Sequence, residues 1–232
     1  MLWNVDLTLV DFTIITREAY AEAFRRVIGR PMVRPAPAMG RPESEIIFET
    51  LAINGVVAED GHLPRFAEAL TAAFAARRDR LAKEGRAMLG ALDALKAVAR
   101  IDGVVQSVLT GSLKDNAVLK LAAFGFDRYL DVEIGGYGEE VYPKATLLQV
   151  AQGRAARKYG HAFSAADTVL IGDSVRDVQA ARIGGASMIA VASGRSTAGE
   201  LSQAGADVVL PDLSDPAEVV AAVTRLTGPP AA

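Results

Sequence analysis

The chain has 232 residues, 50% hydrophobic and 23% charged, which is enough for a buried core in one large domain or in a domain with an insertion. A net charge of -3 argues against a general nucleic-acid binder, which carries a basic excess on one face, and the absence of cysteine excludes disulfides, thiolate catalysis and cysteine metal sites. No window approaches the roughly 18 apolar residues of a membrane span, and Met1-Leu2-Trp3 runs straight into a charged motif rather than a leader, so the expectation is a soluble, cytoplasmic protein.

Taken in chain order, residues 2–5 read as a first short strand. Residues 14–84 then carry helical patterns without convincing strands, at 16–28, 43–54 and 64–83, with a Pro-rich link at 30–42. From about residue 87 short apolar runs alternate with helical ones. Strands are expected at 104–109, 132–134, 168–171, 187–192 and 207–210, and helices at 114–124, 145–159 and 175–183. Gly160 and the pair Gly184-Gly185 supply helix stops. The alternation predicts an α/β fold with a parallel sheet covered by helices, interrupted by an all-helical insertion. The expected core is 1–13 with 85–226, the insertion is 14–84, and the Gly/Pro/Ala-rich tail 227–232 is expected to fray.

In such sheets ligands bind beyond the carboxyl ends of the strands. The polar residues found there are Asn4, Asp6 and Thr8; Thr110 and Gly111; Lys144 at a helix start; and Gly172, Asp173 and Ser174, with Asp177 a turn later. Carboxylates with a lysine suit a phosphate site assisted by Mg2+: oxygen ligands hold the cation, and the lysine offsets phosphate charge. Ser112 reads as a helix cap, and Lys114 and Lys120 are alternatives to Lys144. His62 and His161 have no acid or nucleophile at a telling spacing. Arg25-Arg26 and Arg77-Arg78 read as solvated helix faces.

These residues resemble the haloacid dehalogenase superfamily, phosphoglycolate-phosphatase-like subgroup. The family opens with Asp-x-Asp-Gly-Thr, and the run here is Asn4-Val5-Asp6-Leu7-Thr8. Val108-Leu109-Thr110-Gly111-Ser112 matches the second motif, Pro143-Lys144 the third with its usual order reversed, and Val169 through Asp177 the fourth. The resemblance implies a Rossmann-like core with an inserted helical cap of the first type (C1), with Arg41 in its substrate-facing loop. It implies an aspartyl-phosphate mechanism on a small phosphorylated metabolite. Residue 4 is the nucleophile position and Asp6 the general acid and base. Thr110, Gly111 and Lys144 hold phosphate. Mg2+ lies between residue 4, the Asp6 carbonyl and Asp173, with Asp177 in support.

The departure is Asn4. An amide has no anionic oxygen to attack phosphorus, and it weakens Mg2+ binding because ligand charge governs affinity for a hard cation. An engineered exchange, natural loss of the nucleophile, or activity through deamidation or another nucleophile each accommodate it. Leu7, where the family has Gly for a sharp turn, favours drift in a natural sequence. Two readings stand: an impaired phosphatase of small phosphorylated metabolites, or a non-catalytic binder of phosphate ligands or interaction protein on the same scaffold. Neither involves nucleic acid or a membrane.

Overall fold

A computed structural model of the chain describes residues 1–140 and 143–227. The chain enters through β1 (Leu2–Trp3), turns, forms β2 (Val10–Asp11), and runs into four helices: α1 (Thr13–Ile28), α2 (Glu43–Ile53), α3 (His62–Ala75) and α4 (Arg78–Glu84). It returns through β3 (Arg86–Ala87), which pairs antiparallel with β2, so a two-stranded ribbon ties the two ends of the helical insertion together. Alternation follows: α5 (Ala91–Val98), β4 (Ser107–Val108), α6 (Lys114–Ala122), α7 (Lys144–Tyr159), β5 (Val169–Gly172), α8 (Val175–Gly184), β6 (Ser187–Val191), α9 (Ala198–Ala204), β7 (Val208–Leu210) and α10 (Pro216–Thr227). This is an α/β Rossmann-like core with a helical cap.

The main sheet has the order β4-β1-β5-β6-β7, and all its neighbours pair in parallel. β1 therefore lies between the strands that lead to Thr110 and to Asp173, with Trp3 in register with both Val108 and Ile171. That register brings Asn4, Thr110 and Asp173 to one edge. The central strands are covered on both faces, which is why they read as continuous apolar runs rather than alternating ones. Trp3 is fully buried, and its indole N–H finds Gln106 Oε1 at 3.0 Å, so the largest side chain of the core leaves no polar group unpaired.

Two sequence expectations need correction. Residues 132–134 form a turn, not a strand. The Asp131 carboxylate accepts from the Glu133 amide at 3.1 Å, an Asx turn that outcompetes extension, and the chain meets the sheet only at a bridge from Gly136 to Leu109. The single helix expected over 64–83 is two, α3 and α4. No Gly or Pro breaks it. The break falls where Arg77 turns to donate to Glu18 at 3.3 Å and pairs with Glu22 at 2.7 Å, both on α1, so tertiary ion pairing redirects the chain. The expected tail lies outside the described residues except for Thr227, which ends α10. No helix among the described residues is long and apolar enough to cross a membrane.

Candidate active site

The loop after β1 carries the first group of side chains. Asn4 is buried, and its amide nitrogen donates to the Asp6 carbonyl at 3.0 Å, to Asp173 Oδ1 at 3.0 Å and to Thr8 Oγ1 at 3.4 Å. Its oxygen accepts from Lys144 Nζ at 3.2 Å. Thr8, also buried, donates to the same Asp173 oxygen at 2.8 Å. The loop is held in shape at a cost, because Leu7 sits at φ +62°, a left-handed conformation that a side chain disfavours by about 1–2 kcal/mol. The turn for which the family uses Gly is therefore present here with a leucine in it. Ser193 Oγ donates to the Leu7 carbonyl at 2.8 Å and helps hold it.

Asp173 and Asp177 come from the end of β5 and the first turn of α8. Ser174 is the N-cap of α8 in a capping box whose other half is Asp177. Asp177 Oδ2 accepts from the Ser174 backbone and hydroxyl, and Oδ1 accepts from Lys144 Nζ at 2.6 Å. Both of its oxygens are thus engaged by protein groups, although the resemblance assigns it a supporting role toward a metal. Burial pushes the Asp173 carboxyl up to about 7 and the Asp177 charge adds to this, while Thr8, Asn4 and Lys144 oppose it. Gly194 backs Asp173, since a Cβ at that position would collide with its carboxylate.

Asp6, the expected acid and base, is held by a residue offered at the sequence level only as an alternative. Lys120, from α6 and nearly fully buried, reaches Asp6 Oδ1 at 2.8 Å and Oδ2 at 3.0 Å. Ser112, expected to cap a helix, instead donates to Asp6 Oδ2 at 2.8 Å and accepts from Lys120 at 3.0 Å. The N-cap of α6 is Leu113, with no side-chain cap. Lys114 points elsewhere and pairs with Glu133 at 3.2 Å. Thr110 is buried beside this group, and its hydroxyl accepts from the Ser112 amide at 3.1 Å.

The cap closes the edge. The Glu43 amide, at the start of α2, donates to the Gly111 carbonyl at 2.8 Å, and Arg176 pairs with Glu45 at 3.3 Å. Gly111 is required by this closure, since a Cβ there would fall on the Arg41 carbonyl. Arg41 lines the cavity, but its guanidinium is matched by Glu45 at 2.6 Å and by Glu49. Beneath it lies a buried pair, Tyr20 donating to Glu43. Burial raises the Glu43 carboxyl to about 7, against the pull of Lys120 and Tyr20.

Together these groups line a cavity of about 470 Å³ that includes Asn4, Asp6, Thr110, Gly111, Lys144 and Asp173. Arg17 and Arg195 also line it, exposed and without an ion-pair partner among the described residues. Sequence reasoning missed both. Arg195 follows the β6 strand end, where the same rule that found Asp173 applies, and Arg17 shares a helical face with Thr13, Thr16 and Tyr20. His62, whose ring nitrogen accepts from the Glu59 amide, and His161, packed edge-on against Phe163, do not line it.

A sheet edge closed by a helical cap and lined by acids and lysines defines an α/β protein with a capped polar site. The sequence model of the haloacid dehalogenase-like hydrolases matches residues 1–182, and the chain belongs to that family. Its members generally use Mg2+. Among solved structures, a hydrolase from Pseudomonas syringae is 22% identical, with a TM-score of 0.69, over 96% of this chain and 97% of that one. A predicted phosphoglycolate phosphatase from Haemophilus somnus is 16% identical, with a TM-score of 0.65, over 94% and 96%. CbbY from Rhodobacter sphaeroides, solved in complex with phosphate, is 20% identical, with a TM-score of 0.65, over 92% and 94%. An Asp→Asn variant of CbbY, in complex with xylulose-(1,5)bisphosphate, gives a TM-score of 0.67 at the same identity. At these identities the likeness is one of fold. Comparison with curated proteins finds no match.

Proposed function

We propose that this chain binds a small phosphorylated metabolite, in the manner of phosphoglycolate-phosphatase-like proteins of the family, and hydrolyses it very slowly or not at all. Residues 1–13 and 85–226 act as the core and 14–84 as the cap that closes over the ligand in the cytoplasm. Thr110, the Gly111 backbone and Lys144 hold the phosphate, and Arg41 orders the cap loop beside it. The observation that carries the reading is residue 4: the group that should attack phosphorus is a neutral amide, tied by its nitrogen to Asp6 and Asp173, while the phosphate-holding groups around it remain. The same exchange removes one anionic ligand from Mg2+, weakening its hold.

A second observation favours the binding half of this reading over the catalytic half. Asp6 would have to pass a proton to a leaving oxygen, yet both its oxygens are engaged by Lys120, and one also by Ser112. Binding is tested by thermal shift with inorganic phosphate, phosphoglycolate and sugar phosphates on the intact chain. At least one phosphomonoester is expected to raise the melting temperature in a saturable way, because a ligand that binds only the folded state stabilises it. Thr110→Val should weaken that ligand by about tenfold while still melting cooperatively. No stabilisation by any phosphate compound would contradict the proposal.

A further inference from the structure

A carboxylate offers two equivalent oxygens, whereas an amide offers one oxygen and two N–H donors. An Asp at position 4 can accept from a lysine on one oxygen and hold a cation on the other. An Asn must choose. Here the Asn4 oxygen faces Lys144, and its N–H2 group faces the Asp6 carbonyl and Asp173 Oδ1, each at 3.0 Å. Those two acceptors are the oxygens that, by resemblance, would converge on Mg2+. Reversing the amide would set its N–H against the Lys144 ammonium and its oxygen against two other acceptors, so the surrounding groups fix the orientation. A hard divalent ion needs oxygen ligands, and this position presents a donor instead. The residues present do not fit Mg2+. Among the described residues no group of three or more His, Cys, Asp and Glu side chains is placed to hold a metal elsewhere.

We infer that the Asn4 N–H2 group takes over the cation's structural task of drawing Asp173 and the Asp6 carbonyl together, and that the site binds a phosphate group without a divalent metal. The first half stands on the hydrogen-bond geometry alone, and the second rests on the phosphate reading above. Charge points the same way. With Asn4, Lys144 is shared between the neutral residue 4 and the Asp177 carboxylate, so an incoming phosphate dianion meets one negative charge fewer than it would beside Asp at residue 4.

The test uses the full chain and Asn4→Asp, both stripped with chelator and both checked by thermal melting. Calorimetric titration with Mg2+ alone should show saturable binding to Asn4→Asp and at least about tenfold weaker binding to the unaltered chain. Titration with inorganic phosphate should give the unaltered chain an affinity that stays within about twofold between chelator and excess Mg2+, and should make Asn4→Asp depend on Mg2+ by about tenfold or more. Equal Mg2+ affinity in the two proteins, or failure of Asn4→Asp to bind Mg2+, would overturn the role given to Asn4. Phosphate affinity that rises tenfold or more with Mg2+ in the unaltered chain would overturn metal independence. If the Mg2+ contrast holds but phosphate binds neither protein under any condition, the phosphate reading fails while the exclusion of the metal stands.

Discussion

Three residues carry most of the chemistry that distinguishes this chain. At residue 4, where the proposed function expects an attacking carboxylate, the amide nitrogen donates to the Asp6 carbonyl and to Asp173. At residue 7, the left-handed turn is kept without glycine. Leu7→Gly should raise stability by about 1 kcal/mol by removing that strain, and Leu7→Val should lower it by about 1–2 kcal/mol because a β-branched side chain tolerates positive φ least. Urea melts of the three proteins check both signs. Lys120 is held between the Asp6 carboxylate and the face of Phe74, whose ring centre lies 5.1 Å away. Breaking a fully buried pair costs about 3–5 kcal/mol, but the Asp6 side chain is 39% exposed and can rehydrate. Lys120→Met should therefore cost only about 1–2 kcal/mol in a urea melt. A loss above that range would mean that Asp6 is sealed from water.

At the scale of elements, the sequence was legible where backbone and chemistry agree. The strand ends that deliver Asn4, Thr110 and Asp173 could be read because each pairs an apolar run with a polar terminus, and the structure sets the three along one cavity. The capping box at Ser174 and Asp177 is likewise local. What escaped depends on distance along the chain. Ser112 reads as a cap until Asp6, 106 residues away, comes within hydrogen-bond reach. Lys120 reads only as an alternative to Lys144 until α6 packs against α3 and buries it beside Asp6. α5, α9 and α10 were not placed individually; α5 packs against α10, α9 against α8 and β7, and α10 also against β5 and β6. The docking of α2 on Gly111 joins segments that nothing in the local pattern relates. Gly111→Ala should push the 40–42 segment off the core, break the Glu43-to-Gly111 hydrogen bond and cost about 1–3 kcal/mol. Hydrogen exchange at the Glu43 amide should then quicken, with α8 protected as before. Unchanged exchange at Glu43 would show that the cap does not rely on this contact.

Across the whole molecule, the buried acid under the cap links stability to pH. Glu43 titrates at about 7 in the fold against an ordinary 4.5, so the folded state holds its proton more tightly than the unfolded chain does. Its contribution is fully present below about pH 4.5 and is lost as pH rises through about 7, with a slope of at most about 1.4 kcal/mol per pH unit. Tyr20, Lys120, Asp6 and Glu139 face it and set the size of the effect. Glu43→Gln should reduce this part of the stability profile, leaving the share that comes from Asp173, also raised to about 7, and the fall at lower pH that comes from Asp11 and Asp131, whose carboxyls lie below their usual range. Identical profiles for the two proteins would mean that Glu43 is charged in the fold at all these pH values.

The central claim is that this molecule keeps a phosphate site and has lost the group that attacks phosphorus. It is tested most directly by measuring phosphate release from a panel of small phosphomonoesters with Mg2+, for the unaltered chain and Asn4→Asp in parallel, with intact mass confirming residue 4 in each. No detectable release is expected from the unaltered chain, since loss of a nucleophile costs several orders of magnitude in rate. Measurable release is expected from Asn4→Asp, or from Asn4→Asp/Leu7→Gly if the strained turn still misdirects residue 4. Rapid turnover by the unaltered chain, with residue 4 still an asparagine by mass, would contradict the claim and require another nucleophile.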